Sequence, residues 1–533
     1  MQRVLVNPVI PGFAPDPSLV YVDGTCFLVN SSFHVFPGLP VYASKNLREW
    51  KQIGNAINRP GQLKLQQSYT KIVGEGEDIV CAQGGLYAPT IRYNKGTFYI
   101  VCTNCVHTSS QPPTKNEVQN FILSTTEIWA DEWSDPVFYD FFAIDTSLFW
   151  DDDGRVYVIG AADQSPETKI RQFEIDLATG NRLSKDRIIW EGVTRVYPEG
   201  PHMYKKDGWY YLLIAEGGCF ADHHTIMARS RSIWGPYEVN PANPVLGKTD
   251  PSGYIQYTGH GELFQEPSGQ WYFVCLGVRK INGRFIMGRE SVLTTATWPH
   301  GGFPVIDKAQ LDVPLALGGQ AACSEWPSRR RVGRPEVGFV HIRDPVEGSY
   351  DYDYDGTGDI ALTPGKSDLS QYEEPVTFVG RRQRHLDGSA SAILRFGAAT
   401  AAQDKAIKGS RLKTGLCYYK DEHRFVRIYL NVESEEIVFQ LINKAKSIER
   451  NVARKVEALG DATGVTFGVD YTELDLGFWF SVNVGGNLGK QEMAKIDTLD
   501  MTGHDFCGPI IGIFAVGDED TKVYYSGVHM EGF

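Results

Sequence analysis

Three acidic residues, Asp16, Asp145 and Glu199, each stand at the head of the same short sequence pattern. Asp16 lies between two prolines in "PGFAPDPSLVYVDGTCFLV", directly before an apolar, aromatic run that reads as a buried strand. Asp is a poor strand residue, and flanking prolines remove backbone donors. A carboxylate capping the turn that opens the strand is the plain reading of one such Asp. Recurrence of acids at equivalent places asks for more. Carboxylates gathered in one site repel one another and drive their pKa values apart. Such a set keeps one acid protonated for donation to a leaving oxygen. It keeps another ionised to activate water or attack carbon. That pairing is what cleavage of a glycosidic bond requires. No Ser-His-Asp motif, phosphate loop or HExxH helix offers a competing chemistry.

The elements that would position these acids come from an irregular repeat. The opening stretch, Asp16 to Val29, has the form acid, small-polar pair, apolar, turn ending in Gly, then aromatic-apolar strand. The form recurs in "APTIRYNKGTFYIV" from Ala88, "DTSLFWDDDGRVYVIG" from Asp145, "EGPHMYKKDGWYYLLI" from Glu199 and "HGELFQEPSGQWYFVC" from His260. The turn glycines are Gly24, Gly96, Gly154, Gly208 and Gly269, and the heads are 72, 57, 54 and 61 residues apart. "VYASKNLREW", "FILSTTEIWADEW" and "IMARSRSIWGPY" read as third strands with outer turns. Five such units predict a five-bladed β-propeller, whose innermost strands line a central channel. The heads then form one column around the axis: Asp16, Ala88, Asp145, Glu199 and His260. Phe33, Phe36, Tyr87 and Phe220 supply aromatic faces suited to sugar rings.

Composition fits an all-β protein of two or three domains: 533 residues, 42% hydrophobic, 12% aromatic, with 55 Gly and 28 Pro. The net charge of -13 argues against nucleic acid or an anionic membrane as a partner. The basic run "PSRRRVGRP" at 327–335 reads as a solvated linker. No stretch approaches the roughly 20 apolar residues of a membrane span, and "MQRVLVNPVIPGF" has no signal-peptide core. A cytoplasmic location is therefore expected, or a secreted one if a leader has been removed. Cys102 and Cys105 form a CxxC inside an apolar strand with no second half, so no zinc site is expected. "DDDG" at 151–154 reads as a hairpin turn.

The motifs "GFAPDPS", "GLYAPTIRY", "IDTSLFWDDDG", "YPEGPHMY", "GHGELF" and "GRE" at 288–290 together resemble glycoside hydrolase family 43. The likeness is greatest to its β-xylosidase and α-L-arabinofuranosidase members that carry a C-terminal β-sandwich, with "TFVGRRQRH" at 377–385 as a marker. The resemblance implies inversion at the anomeric carbon, with Asp16 as general base, Glu199 as general acid and Asp145 tuning and orienting that acid. It implies substrate binding by Phe33, Tyr87, Ala88, His260 and Arg289, and by Phe506 on a loop of the second domain. By family analogy a structural calcium near His260 is compatible; no cofactor is required. Many bacterial xylosidases of this type have Trp-Ala-Pro-Asp where this chain has Tyr87-Ala88-Pro89-Thr90, which bears on xylose against arabinose preference.

The expected organisation is a propeller over 1–320, a linker over 321–345 and a jelly-roll, concanavalin-like sandwich over 346–533. "SYDYDYDGTGD" at 349–359 is expected as a surface loop, with sandwich strands from about residue 372. The predicted function is exo-hydrolysis of terminal β-1,4-linked xylose from xylo-oligosaccharides, with α-L-arabinofuranosidase side activity. The substrate partner is a xylo- or arabinoxylo-oligosaccharide, and homo-oligomers stay open. The alternatives are a primary α-L-arabinofuranosidase, a retaining fructan-type glycosidase and a non-catalytic sugar-binding propeller. The retaining enzyme would need Asn-Asp-Pro-Asn where this chain has Ala14-Pro15-Asp16-Pro17. A lectin would have repeats more alike than these.

Overall fold

A computed structural model describes residues 3–107, 116–163, 167–247, 253–315, 335–352, 358–396, 410–456, 459, 462–484, 489–518 and 522–530. Five four-stranded antiparallel sheets follow one another along the chain. Blade 1 is Ser18–Val22, Thr25–Val29, Gly38–Ser44 and Lys51–Ile57; blade 2 is Gly85–Asn94, Thr97–His107, Asn116–Thr125 and Val137–Tyr139. Blade 3 is Ala143–Trp150, Val156–Ala162, Lys169–Glu174 and Arg187–Trp190; blade 4 is Glu199–Lys206, Trp209–Glu216, His224–Ser230 and Glu238–Val239. Blade 5 is Ile255–Gln265, Trp271–Arg279, Glu290–Thr297 and Val305–Ile306.

The turns between first and second strands follow from residue type. Asp23-Gly24, Lys95-Gly96 and Asp207-Gly208 all take positive φ at both central positions, as tight hairpins require. Each innermost strand touches the innermost strand of the next blade, and that of blade 5 touches that of blade 1. The ring is therefore a closed five-bladed propeller. Its core is five wedges, one between each pair of adjacent blades, for example Leu28 with Val274 between blades 1 and 5 and Ile159 with Leu212 between blades 3 and 4. Arg3–Val6 pairs antiparallel with Asp312–Leu315, joining the chain's start to the segment after blade 5.

The second body is a sandwich of a six-stranded and a seven-stranded sheet. One apolar core lies between the sheets, including Leu416, Phe467 and Phe478. A second packs the six-stranded sheet on the propeller, joining Phe378, Tyr419 and Phe514 to Phe13, Phe33 and Val35. Two expectations change. The sandwich strands start earlier than residue 372, within the expected domain: Tyr350–Tyr352, expected as loop, pairs with Ile360–Leu362, its tyrosines packing on the sandwich core. His341–Ile342, expected within a linker, pairs with Val35–Phe36 of the propeller. Residues 316–334 and 353–357, with most of the basic run, lie outside the described residues. Among the described residues no helix is long and apolar enough to cross a membrane.

Candidate active site

One backbone feature aims the column of heads at the axis. Asp16, Ala88, Asp145 and His260 all have positive φ, at 49, 32, 55 and 39 degrees. In blades 2, 3 and 5 these residues sit where strand register shifts, so each head is a bulge that turns a side chain inward. Asp and His tolerate this left-handed conformation better than most residues, whereas Ala is strained in it. Blade 4 corrects the expected column. Its left-handed residue is Gly200, φ 58 degrees, and Glu199 stands one position earlier. The reason is space: a Cβ on Gly200 would come within 3.0 Å of the His260 ring. The blade therefore reaches the site with the longer side chain of the preceding residue.

Asp16 is 5% exposed. Its Oδ2 accepts from Ser31 Oγ at 2.7 Å, and Ser31 Oγ accepts from Ala88 N at 2.7 Å. Its Oδ1 has no hydrogen-bond donor and lies 3.6 Å from Arg289 Nη1. Arg289 Nε and Nη2 find no oxygen acceptor either. Asp145 Oδ2 accepts from Gly200 N at 3.1 Å and lies 3.7 Å from His260 Nδ1. Glu199 Oε1 lies 3.4 Å from His223 Nε2 and 3.9 Å from Cys219 Sγ.

Burial pushes Asp145 up to about 7, helped by Glu199 and Asp16 and opposed by His260. Glu199 is held below the usual carboxylate range; burial works the other way, but His223, His260 and Arg289 outweigh it. His260 is raised, since Asp145, Asp16 and Glu199 outweigh its burial. The raised carboxyl in the resting site is thus Asp145 rather than Glu199, because the nearest imidazole to Glu199 is the closer of the two.

Aromatic rings wall the pocket from both bodies. Phe33 meets Tyr87 edge-on at 5.0 Å and stacks near Phe506 at 5.7 Å. Arg289 lies over Phe506 at 4.4 Å and near Phe220 at 5.8 Å. Phe506 belongs to the sandwich, whose strand His504–Asp505 pairs with Val80–Cys81 of the propeller. Gln83 anchors both walls. Its Oε1 accepts from Phe506 N at 3.1 Å, its Nε2 donates to Asp421 at 3.0 Å, and its carbonyl accepts from the Tyr87 hydroxyl. Phe36 belongs instead to the wedge between blades 1 and 2.

Below the acids the channel is plugged. Arg92 Nη1 pairs with Glu262 Oε1 at 2.5 Å, Arg92 Nη2 lies 3.0 Å from His202 Nδ1, and Ser18 Oγ donates to Glu262 Oε2 at 2.7 Å. Side chains from the inner strands of blades 1, 2, 4 and 5 thus bond to one another at this level. Near His260, Glu262 is engaged by Arg92, and among the described residues no three His, Cys, Asp or Glu side chains converge on a metal position. Cys102 and Cys105 are buried and free.

The sequence reading missed Ser31, His223, Cys219, Gln83 and the Arg92–Glu262 plug. His223 lies in "ADHHT" between two strands of blade 4, outside every repeat position, and carries no local signal.

Residues 5–304 match the family described as Glycosyl hydrolases family 43, and residues 333–526 match the Beta xylosidase C-terminal Concanavalin A-like domain. The chain is 30% identical over 526 residues to a non-reducing end alpha-L-arabinofuranosidase of Bacteroides ovatus, covering 97% of this chain and 92% of that one. It is 30% identical over 494 residues to a xylan 1,3-beta-xylosidase of a Vibrio species, covering 87% and 86%. Its fold matches the crystal structure of a family 43 protein from Bacillus licheniformis with a TM-score of 0.80, 28% identity and 98% of each chain covered.

Proposed function

The chain belongs to glycosyl hydrolase family 43, and on that premise we propose an inverting exo-glycosidase that removes terminal β-1,4-linked xylose from xylo-oligosaccharides and also cleaves α-L-arabinofuranosides. The observation that carries this reading is the open Oδ1 of Asp16. A buried carboxylate oxygen without a donor, beside an arginine, suits a water that it can deprotonate.

Blade order supports the division of roles. Asp16 is on blade 1 and Glu199 on blade 4, which are not neighbours in the ring. Base and acid thus face each other across the pocket, with room for both sugar and water, as inversion needs. Asp145 is on blade 3, next to blade 4. It tunes Glu199 as part of one cluster that cannot keep every carboxyl charged; the proton resting on Asp145 is available to Glu199, which donates it to the leaving oxygen. Arg289 and His260 hold hydroxyls of the terminal sugar, while Phe33, Tyr87 and Phe506 pack on its apolar faces. The Arg92–Glu262 plug below and the sandwich loop at the side favour chain ends over passing polymers.

The Bacteroides relative supports arabinofuranoside cleavage as a substantial activity of the same site. Release of nitrophenol from nitrophenyl β-xyloside and nitrophenyl α-L-arabinofuranoside tests both. Hydrolysis of both substrates, lost together in Asp16→Ala, is expected. Failure on both would overturn the reading.

A further inference from the structure

The segment 193–197 leads into Glu199, and three of its apolar side chains stand in water: Val193 is 49% exposed, Val196 45% and Tyr197 37%. Arg195 and Tyr197 have positive φ, 60 and 51 degrees, a costly conformation for residues with large side chains. Such strain persists only where surroundings enforce it, and here they do. Glu216, with 0% exposure, is committed to this segment. Its Oε1 accepts from Val193 N at 2.8 Å and Arg195 N at 3.2 Å, and its Oε2 from Thr194 N at 3.0 Å and Thr194 Oγ1 at 3.1 Å. Gly192 makes room for that carboxylate, since a Cβ there would sit 1.8 Å from Oε1. Gly217 N donates to Val196 O at 2.8 Å, and Thr168 Oγ1 to Pro198 O at 2.8 Å.

These bonds fix the backbone that carries Tyr197, an exposed aromatic ring two residues before Glu199. Tyr197 backs onto Gly218, where a Cβ would come within 3.7 Å of the ring. The next two residues carry the wall inward: Cys219 lies 3.9 Å from Glu199, and Phe220 reaches Arg289. The sandwich loop covers other sides. Phe506 meets Phe33 and Tyr87, and His504 stacks on Phe220 and meets Tyr257. Among the described residues Tyr197 has no ring contact with that loop.

Resting on the function proposed above, we propose that Tyr197 is the platform for the leaving part of the substrate, the xylosyl ring on the reducing side of the cleaved bond. A phenol on a fixed backbone presents a flat apolar face and a polar edge, which suits the face of a pyranose and its rim hydroxyls. Its place two residues before the proposed acid puts it on the side where the leaving oxygen departs.

The test compares two substrates that differ only in the leaving group, xylobiose and β-xylosyl fluoride, in the full-length protein. Tyr197→Ala should lower kcat/KM on xylobiose about tenfold, mainly through KM, and lower it less than threefold on the fluoride, whose leaving group is too small to reach the ring. Tyr197→Phe, which keeps the flat face, should restore most of the xylobiose value. Equal losses of Tyr197→Ala on both substrates would assign the residue a structural role and overturn the proposal, as would no loss on xylobiose. A wild-type chain that hydrolyses neither substrate would overturn the function on which the proposal rests, a result distinct from either of these.

Discussion

Asp16, Asp145 and Glu199 face the pocket, while Asp421, Glu422 and Asp505 lie at the joint between propeller and sandwich, and both trios are largely shielded from water. At the joint Asp421 and Asp505 are closely paired with cations. Arg424 reaches both Asp421 and Asp505 at 2.5 Å, Lys420 reaches Asp505 at 2.7 Å, and Thr70 N donates to Glu422 at 2.6 Å. Against burial, the Arg424 guanidinium holds Asp421 down to about 2. In the pocket the nearest basic side chains, His223, His260 and Arg289, stand at 3.4 to 3.7 Å, and Asp145 is pushed up to about 7. Burial of acids is common to both trios; the closeness of the counter-charges at Asp421 and Asp505 separates them, while Glu422, 3.8 Å from Arg343, is held by the backbone N–H and hydroxyl of Thr70. Tight pairs lock a joint. Loose ones leave protons to move and oxygens open to a substrate.

The largest expected difference is in what each trio loses on mutation. Asp16→Ala and Glu199→Ala should each lower kcat about 10²–10⁴-fold, the usual contribution of a positioned proton-transfer group, with little change in Tm. A leaving group that needs little protonation should partly rescue Glu199→Ala and not Asp16→Ala. Asp421→Ala should do the reverse: breaking a buried pair costs about 3–5 kcal/mol of stability, while activity per folded molecule falls far less. Thermal melts beside single-substrate kinetics would show it. Stability loss in the pocket variants, or kcat loss in the joint variant, would break the comparison.

A smaller effect is the opposite pH dependence of the two sites. The folded-state pKa of Asp145 lies above its ordinary value of 3.8, near 7, so its contribution to stability is intact below pH 4 and is lost as pH rises towards 7. Asp421 is shifted down, so its contribution is present above pH 4 and is lost as pH falls towards 2. Unfolding free energy measured across pH should therefore fall less steeply between pH 4 and 7 in Asp145→Asn. It should fall less steeply below pH 4 in Asp421→Asn. Parallel curves for both variants would mean that the trios do not differ in this way.

The repeat was legible because its signals are local: a turn glycine, a polar head and an aromatic strand within one hairpin. Those signals placed Asp16, Ala88, Asp145 and His260 correctly on one column. They misplaced Glu199 by one residue, because the bulge in blade 4 is set by contact between Gly200 and His260, residues from different blades. His223 and Gln83 act through contacts remote from their sequence neighbours, so no pattern announced them. Phe506 could be singled out only through family resemblance; its place against Phe33 and Arg289 depends on how the sandwich docks. The tyrosines of "SYDYDYD" looked like loop residues because acids alternate with them. That alternation is also what an edge strand with one face on a core looks like.

The central claim is that Asp16 activates a water on the side of the sugar opposite Glu199. Proton NMR of the first xylose released from a β-linked xylo-oligosaccharide, recorded before mutarotation, tests it most directly. The account predicts an initial α-xylose anomeric signal, with β-xylose growing only later. An initial β-xylose signal would contradict inversion and remove Asp16 from the role of general base.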